Sequence, residues 1–351
     1  MQFIAILQSW RRGNSPQREE LQLLLKQELK NSTRSQAFGI TQDTGLAQIE
    51  ARSRLFQTAI QDVEKACFEI GLTDFKTVYK FAWELWLPLA MQLHEARLNH
   101  GKPLIQGLLG GQGTGKTTIS FLLPIILHHL GDRAIAISLD DLYLSYKARQ
   151  TLQQQDSRLI WRGPPGTHDV AEGIRVLDEL RSPANSEILI PRFDKSLHHG
   201  AGDRVAPVAV TPGDIIFFEG WCVGVRPMAE SAFTNPPYPI VTADDRKFAL
   251  DCNYRLKAYL PLWQRLDRLI VLNPVDYRWS QQWRKAAEQK MRKQGKGGMS
   301  DKEVEQFVEY FWKALHPDLF IQPLIQNPDL VDLVIEINPD HSPGLIDRPS
   351  A

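Results

Sequence analysis

The sequence predicts an α/β fold: a parallel sheet flanked by helices, preceded by an all-helical region. Three observations carry that reading. From residue 101 on, short apolar runs alternate with amphipathic stretches, the rhythm of a sheet built from strands and crossover helices. Residues 1–100 instead carry apolar residues at helical spacing. Between them, Gly110-Gly111-Gln112-Gly113-Thr114-Gly115-Lys116-Thr117 joins an apolar run to a helical one.

In chain order, the spacing predicts helices over Pro16–Lys30, Leu46–Ile70 and Asp74–Leu98. The polar stretch from Asn31 to Gly45 reads as a connector. Trp83, Trp86 and Leu87 read as core that packs these helices on the rest, with a partner-binding stripe as the alternative. The division expected is a helical region over 1–100 packed on a catalytic domain over 101–351. Strands are expected at Leu104–Leu109, Arg133–Leu139, Glu187–Ile190, Asp214–Phe218, Asp267–Leu272 and Leu330–Ile337. A helix is expected from Thr117 to Leu130, stopping at Gly131 and kinked by Pro124. Pro236, Pro237 and Pro239 mark a loop, and Gly295-Lys296-Gly297-Gly298 a flexible break.

Composition sets bounds. The 351 residues are 43% hydrophobic and 23% charged, ample for one large or two modest cores. Lys+Arg and Asp+Glu both number 41, so nothing in the balance suggests a nucleic-acid or membrane partner. Cys67, Cys222 and Cys252 are far apart and read as small buried residues, not as a zinc site or disulfide framework. No apolar run is long enough to span a bilayer. Residues 1–18 hold Arg11, Arg12 and Arg18 without an acid, a faint echo of a transit peptide. A cytoplasmic location is the expectation; oligomeric state is not legible.

Residues Gly110–Thr117 fit G-x-x-x-x-G-K-[ST], a phosphate-binding loop of the P-loop NTPase type. Glycines let the backbone wrap closely, so that successive N–H groups point at one anion. The helix that follows aims its positive end at the same anion. Lys116 would reach the β- and γ-phosphates of ATP, and Thr117 would sit on Mg²⁺. Thr118 follows at the helix start and completes the nucleotide-binding candidates.

Ligands of open α/β sheets sit beyond the carboxyl ends of the strands, and four blocks fall there. Ser138-Leu139-Asp140-Asp141-Leu142-Tyr143 puts two carboxylates near the loop. A phosphotransferase needs one to deprotonate the attacking hydroxyl and another acid to help hold Mg²⁺. The bland alternative for either Asp is an Asx turn or a helix cap. Ile215 to Phe218 followed by Glu219-Gly220-Trp221 is an apolar strand ending in an acid, and Glu219 would hold a Mg²⁺-bound water. In Arg162-Gly-Pro-Pro-Gly-Thr-His-Asp169, Thr167 would cap the next helix while Arg162, His168 and Asp169 face the pocket. In Pro191-Arg-Phe-Asp-Lys-Ser196 and Gly202-Asp-Arg204, Asp194 is a polar pocket candidate, and Arg192, Lys195 and Arg204 offer cations for a small anionic acceptor. His198-His199 lacks a third ligand at metal spacing and reads as loop. A basic stretch from Arg278 to Lys293, with Arg284, Lys285, Lys290 and Arg292, reads as a closing lid over 278–298, or else as a solvated helix face.

Phosphate loop, Ser-x-Asp block and Glu-Gly block together resemble the P-loop kinases that include phosphoribulokinase, uridine kinase and pantothenate kinase. That resemblance carries the catalytic base to Asp140 and the metal-holding acid to Glu219. More narrowly, the Pro-Gly-Thr-His-Asp, Phe-Asp-Lys-Ser, Gly-Asp-Arg and Glu-Gly-Trp blocks, with Met299–Val304 and Phe307-Val308, resemble plant-type glycerate kinase over roughly residues 103–340. Leu142 departs from the group, which usually has an aromatic residue there. The resemblance implies phosphorylation of D-glycerate by ATP and Mg²⁺ to give 3-phosphoglycerate, in photorespiratory or salvage metabolism. On this reading Asp140, Lys116, Arg162 and Arg192 are the catalytic candidates, and Thr117, Glu219 and Asp140 the metal candidates. Asp140, Arg162, His168, Asp169, Arg192, Asp194, Lys195 and Arg204 are the acceptor candidates. Two alternatives stand beside it: a kinase of another small metabolite, such as a nucleoside or pantothenate, and a nucleotide-dependent switch that hydrolyses ATP with a protein partner.

Overall fold

The computed structural model describes residues 2–182, 187–295 and 298–350. Residues 2–100 form α1 (Gln2–Arg11), α2 (Arg18–Leu29), α3 (Ser32–Ala37), α4 (Gly45–Glu69), α5 (Phe75–Phe81) and α6 (Leu87–His100). In α4, Ile49, Phe56, Ile60, Val63 and Cys67 recur at helical spacing and are buried on one stripe. Asp74 caps α5 by accepting the Lys76 N–H. A π-turn over Ala82–Trp86 joins α5 to α6, and the Trp83 carbonyl there accepts from Arg52 Nη1 at 3.1 Å. Trp83 and Trp86 are buried, Trp83 against Trp10 and Phe56, so they are core and offer no partner surface.

α1 escaped the sequence reading, yet Ile6, Leu7 and Trp10 bury one side of it. The connector expected over 31–45 holds the short helix α3, capped by Asn31, with Phe38 and Ile40 buried behind it. Too few apolar residues stand there to show a period. What fixes the segment is distant: Arg348 Nε donates to the Ala37 carbonyl at 2.8 Å.

The remainder contains β1 (Leu104–Gly110), α7 (Lys116–His128), β2 (Ala134–Ser138), α8 (Tyr146–Gln155), α9 (Val170–Arg181), β3 (Ile188–Asp194), β4 (Asp203–Val210) and β5 (Ile215–Gly220). It continues through α10 (Ala243–Arg255), α11 (Leu260–Trp263), β6 (Arg268–Pro274), α12 (Trp279–Lys293), α13 (Asp301–Ala314), α14 (Pro317–Ile325), β7 (Leu333–Ile337) and β8 (Pro343–Asp347). Six strands form one sheet in the order β2-β5-β1-β6-β7-β8. The first five pair in parallel; β8 adds an antiparallel edge that the sequence reading missed. The strand expected at Glu187–Ile190 exists as β3, but it lies outside this sheet. It pairs antiparallel with β4, another strand not anticipated, as a separate hairpin. α7 continues past Pro124 as one element, and the chain leaves it through Gly131 at φ +88°.

Side chains alternate across the sheet. Leu104, Leu108, Ile215, Phe217, Ile270 and Leu272 face α7 and share one buried cluster with the N-terminal helices. Ile105, Leu109, Ile216, Phe218, Leu269 and Val271 face the other way, toward Val176, Leu177, Ala249 and Leu262 of α9, α10 and α11. The three cysteines are buried and unbridged. Among the described residues, no helix is long and apolar enough to cross a membrane.

Candidate active site

The strand register places the site. Ser138 of β2 lies opposite Glu219 of β5, and Glu219 lies opposite Leu108 of β1. Three neighbouring strands therefore deliver Asp140, Glu219 and the loop Gly110–Thr117 to one edge.

The loop has the shape its glycines permit. Gly113 and Gly115 sit at φ +79° and +89°, a region closed to most side chains. A Cβ on Gly110 would lie 2.5 Å from Thr114 Oγ1, whereas Gly111 and Gly115 face open space. Thr114 Oγ1 and Lys116 Nζ both donate to the Gly111 carbonyl at 2.9 Å. Burial holds the Lys116 ammonium below its usual range, opposed by the charges of Glu219 and Asp140. Over the loop, Trp283 of α12 packs so closely that a Cβ on Gly113 would come within 2.8 Å of it. His341, from the turn between β7 and β8, stacks on Trp283 at 4.7 Å and places Nδ1 2.9 Å from the Gly113 carbonyl. Trp283 lies within the stretch expected as a lid without being legible itself, and His341 was not legible at all, because only the tertiary fold brings position 341 to position 113.

Ser138 caps a 3₁₀ turn over Leu139–Leu142 by accepting the Asp140 N–H at 3.2 Å. That turn presents the Asp140 carboxylate between two donors. Tyr143 Oη donates to Oδ1 at 2.8 Å, and Lys195 Nζ to Oδ2 at 2.6 Å. Burial pushes the Asp140 carboxyl up, but the Lys195 charge and these two hydrogen bonds outweigh it and hold the group below its usual range. The next carboxylate behaves differently. Burial raises Asp141, although Arg192 Nη1 donates to it at 2.9 Å.

Tyr143 is the hub around which most of the expected acceptor residues gather. His168 stacks on its ring at 4.6 Å, and the Arg162 guanidinium lies 5.9 Å from the ring centre. Arg204 Nε donates to the Tyr143 carbonyl at 2.8 Å, and Arg204 Nη2 to Asp169 Oδ2 at 2.9 Å. Arg162 Nη1 donates to the Gly200 and Ala201 carbonyls. Asp194 is turned to its own corner, where its Oδ1 accepts from the Ser196 N–H and hydroxyl. The cap of α9 is Asp169, which accepts the Glu172 N–H at 3.1 Å. Thr167, expected in that role, instead accepts the Gly163 N–H and donates to the Pro164 carbonyl. The short hydroxyl closes its own turn before the helix begins. His198 pairs with Asp203 and stacks on Tyr146, as a loop residue.

The basic stretch forms α12, where Arg284 pairs with Glu288, Lys285 with Glu305 and Arg292 with Asp301. Of the glycine break after it, Lys296 and Gly297 lie outside the described residues. Thr117, Glu219 and Asp140 offer a hydroxyl and two carboxylates beside the loop, hard oxygen donors of the kind Mg²⁺ takes together with phosphates and water.

No family model matches the chain. It is 31% identical over 278 residues to the chloroplastic D-glycerate 3-kinase of Arabidopsis thaliana, an alignment spanning 74% of this chain and 59% of that protein. It is 28% identical to an uncharacterized kinase of Schizosaccharomyces pombe, covering 68% of this chain and 90% of the relative. A D-glycerate 3-kinase structure from Cryptococcus neoformans superposes with a TM-score of 0.66 at 26% identity, covering 74% of this chain and 99% of that one. The chain therefore has the fold of the P-loop kinases and is similar, over 74% of its length, to D-glycerate 3-kinases.

Proposed function

We propose that this protein transfers the γ-phosphoryl group of ATP to the terminal hydroxyl of D-glycerate, giving 3-phosphoglycerate and ADP. The observation that carries the proposal is the Asp140 carboxylate, set beside a phosphate loop and paired with Lys195 of the β3–β4 hairpin, while Arg192 of β3 holds the neighbouring Asp141. Loop amides and Lys116 hold the β- and γ-phosphates. Thr117, Glu219 and Asp140 would hold Mg²⁺, which would neutralise phosphate charge. Asp140 takes the proton from the acceptor hydroxyl as its oxygen attacks phosphorus and ADP departs. Lys195 leaves Asp140 for the anionic acceptor or the transferring group. Arg192, Arg204 and Arg162 supply further positive charge for a carboxylate.

A lid role for α12, a cytoplasmic location and a place in photorespiratory metabolism belong to the same proposal. Of the alternatives, a kinase of another metabolite shares every step except acceptor recognition. The switch reading is the weaker one, because a switch needs no cationic pocket beside Asp140. The deciding experiment is ADP release with Mg·ATP against D-glycerate, L-glycerate, uridine, pantothenate and ribulose 5-phosphate, with Asp140→Asn alongside. Turnover on D-glycerate alone, lost in the variant, is the expected result. Acceptor-independent hydrolysis that survives in Asp140→Asn would favour the switch.

A further inference from the structure

The His168 imidazole is buried, and its two nitrogens have different surroundings. Nδ1 lies 2.7 Å from the Tyr259 hydroxyl, which also accepts the Gly166 N–H at 2.9 Å. Nε2 is buried and has no hydrogen-bond partner among the described residues. The ring stacks on Tyr143, whose hydroxyl is bound to Asp140.

Hydrogen-bond accounting fixes the proton. Were Nδ1 protonated, the buried Tyr259 hydroxyl would accept two N–H groups and its own proton would have no acceptor. Nε2 would then be a second orphan. With Nδ1 bare, Tyr259 donates to it, and Nε2–H is the one group left over. Buried polar groups without partners are costly, so the second arrangement wins. An orphan N–H beside a reaction centre is a place where a ligand oxygen belongs.

We propose that His168 contacts the acceptor: Tyr259 fixes the neutral Nε2–H tautomer, and that N–H donates a hydrogen bond to an acceptor oxygen beside Asp140. The inference rests on the kinase reading above. Neutrality suits the chemistry. A charged imidazolium would add to the influences that hold the Asp140 carboxyl low and so weaken it as a base. Burial favours the neutral ring, taking its pKa down to about 4 against the opposing Asp140 charge. Tyr259 touches no reacting group and is a positioning residue.

The test combines a tautomer readout with steady-state kinetics. Histidine ¹⁵N spectra of the full chain should show His168 as the Nε2–H form, and Tyr259→Phe should convert part of it to the other tautomer. His168→Phe keeps the stacked ring without the donor, and acceptor KM should rise at least about tenfold with ATP KM unchanged. His168→Gln restores an N–H at a similar reach and should recover much of that loss, with melting temperature reporting intact folding. An Nδ1–H ring in the unmutated protein, or an unchanged acceptor KM in His168→Phe, overturns the inference alone. Absence of acceptor-dependent turnover in the unmutated protein overturns the kinase reading, and this inference with it.

Discussion

Lys195 Nζ lies 2.6 Å from Asp140 Oδ2, so a turn residue of the β3–β4 hairpin occupies the carboxylate that follows β2. The proposed base is held ionised by a cation that must release it before a hydroxyl proton can be taken. With Lys195 replaced by Met, the charge and hydrogen bond that chiefly oppose burial are removed and the Asp140 pKa rises. A base works only when deprotonated, so activity is lost as pH falls through that pKa. The acid limb of kcat/KM should therefore move to higher pH in Lys195→Met, measured between about pH 4 and 8. An acid limb that stays in place would remove Lys195 from the control of Asp140.

Asp140→Asn keeps the side-chain shape and both neighbouring donors but cannot accept a proton. Turnover should fall by about 10²–10⁴ while nucleotide affinity holds, read by single-turnover kinetics and nucleotide titration. Loss of nucleotide affinity instead would point to a chiefly metal-holding role.

Gly113→Ala meets two obstacles, a φ of +79° and a Trp283 atom 2.8 Å from the new Cβ. The left-handed backbone alone costs about 1–2 kcal/mol. ATP affinity should drop at least about tenfold, measured by calorimetric titration. Trp283→Leu in the same chain should return part of it by clearing space but not the backbone cost.

In the N-terminal bundle, Arg52 and Glu28 are 2% and 1% exposed and pair at 3.0 Å. Arg52→Met leaves Glu28 with Arg34 alone. Unfolding in urea should show a loss of about 3 kcal/mol. A neutral or stabilising result would mean that the methionine packs better than the buried pair.

Asp156 is bound by Arg158 and Arg255, and the Arg158 hydrogen bonds chiefly hold its carboxyl well below the usual range. A depressed carboxylate contributes stability above its unfolded pKa and loses it as pH falls. Asp156→Asn should cost about 2 kcal/mol at neutral pH, and the gap to the unmutated protein should begin to narrow below about pH 4 and keep shrinking as pH falls further. A gap independent of pH would assign the effect to packing.

What the sequence disclosed follows the reach of its signals. The phosphate loop spans Gly110–Thr117, so spacing alone specified it, and the buried strands around it are apolar runs. Asp140 and Glu219 were legible as acids ending such runs. Thr167 and Asp169 were harder to separate, because both are good caps two residues apart and only the turn geometry decides between them. The hairpin was missed because Pro207 interrupts the short Val-Ala run of β4 and little of that strand is buried, so its sequence resembles a loop. Tyr259 and His341 gave no local sign at all. Their partners lie 91 and 228 residues away, and nothing short of the tertiary fold pairs them.

No ladder bond joins the β3–β4 hairpin to the six-stranded sheet among the described residues. The phosphate cradle, in contrast, is built into that sheet. Reshaping the hairpin thus leaves every strand pairing under the nucleotide untouched. On the proposed function, acceptor choice would be separable from nucleotide handling, and a lineage of such kinases could exchange one cargo for another while its energy-delivering half stayed the same.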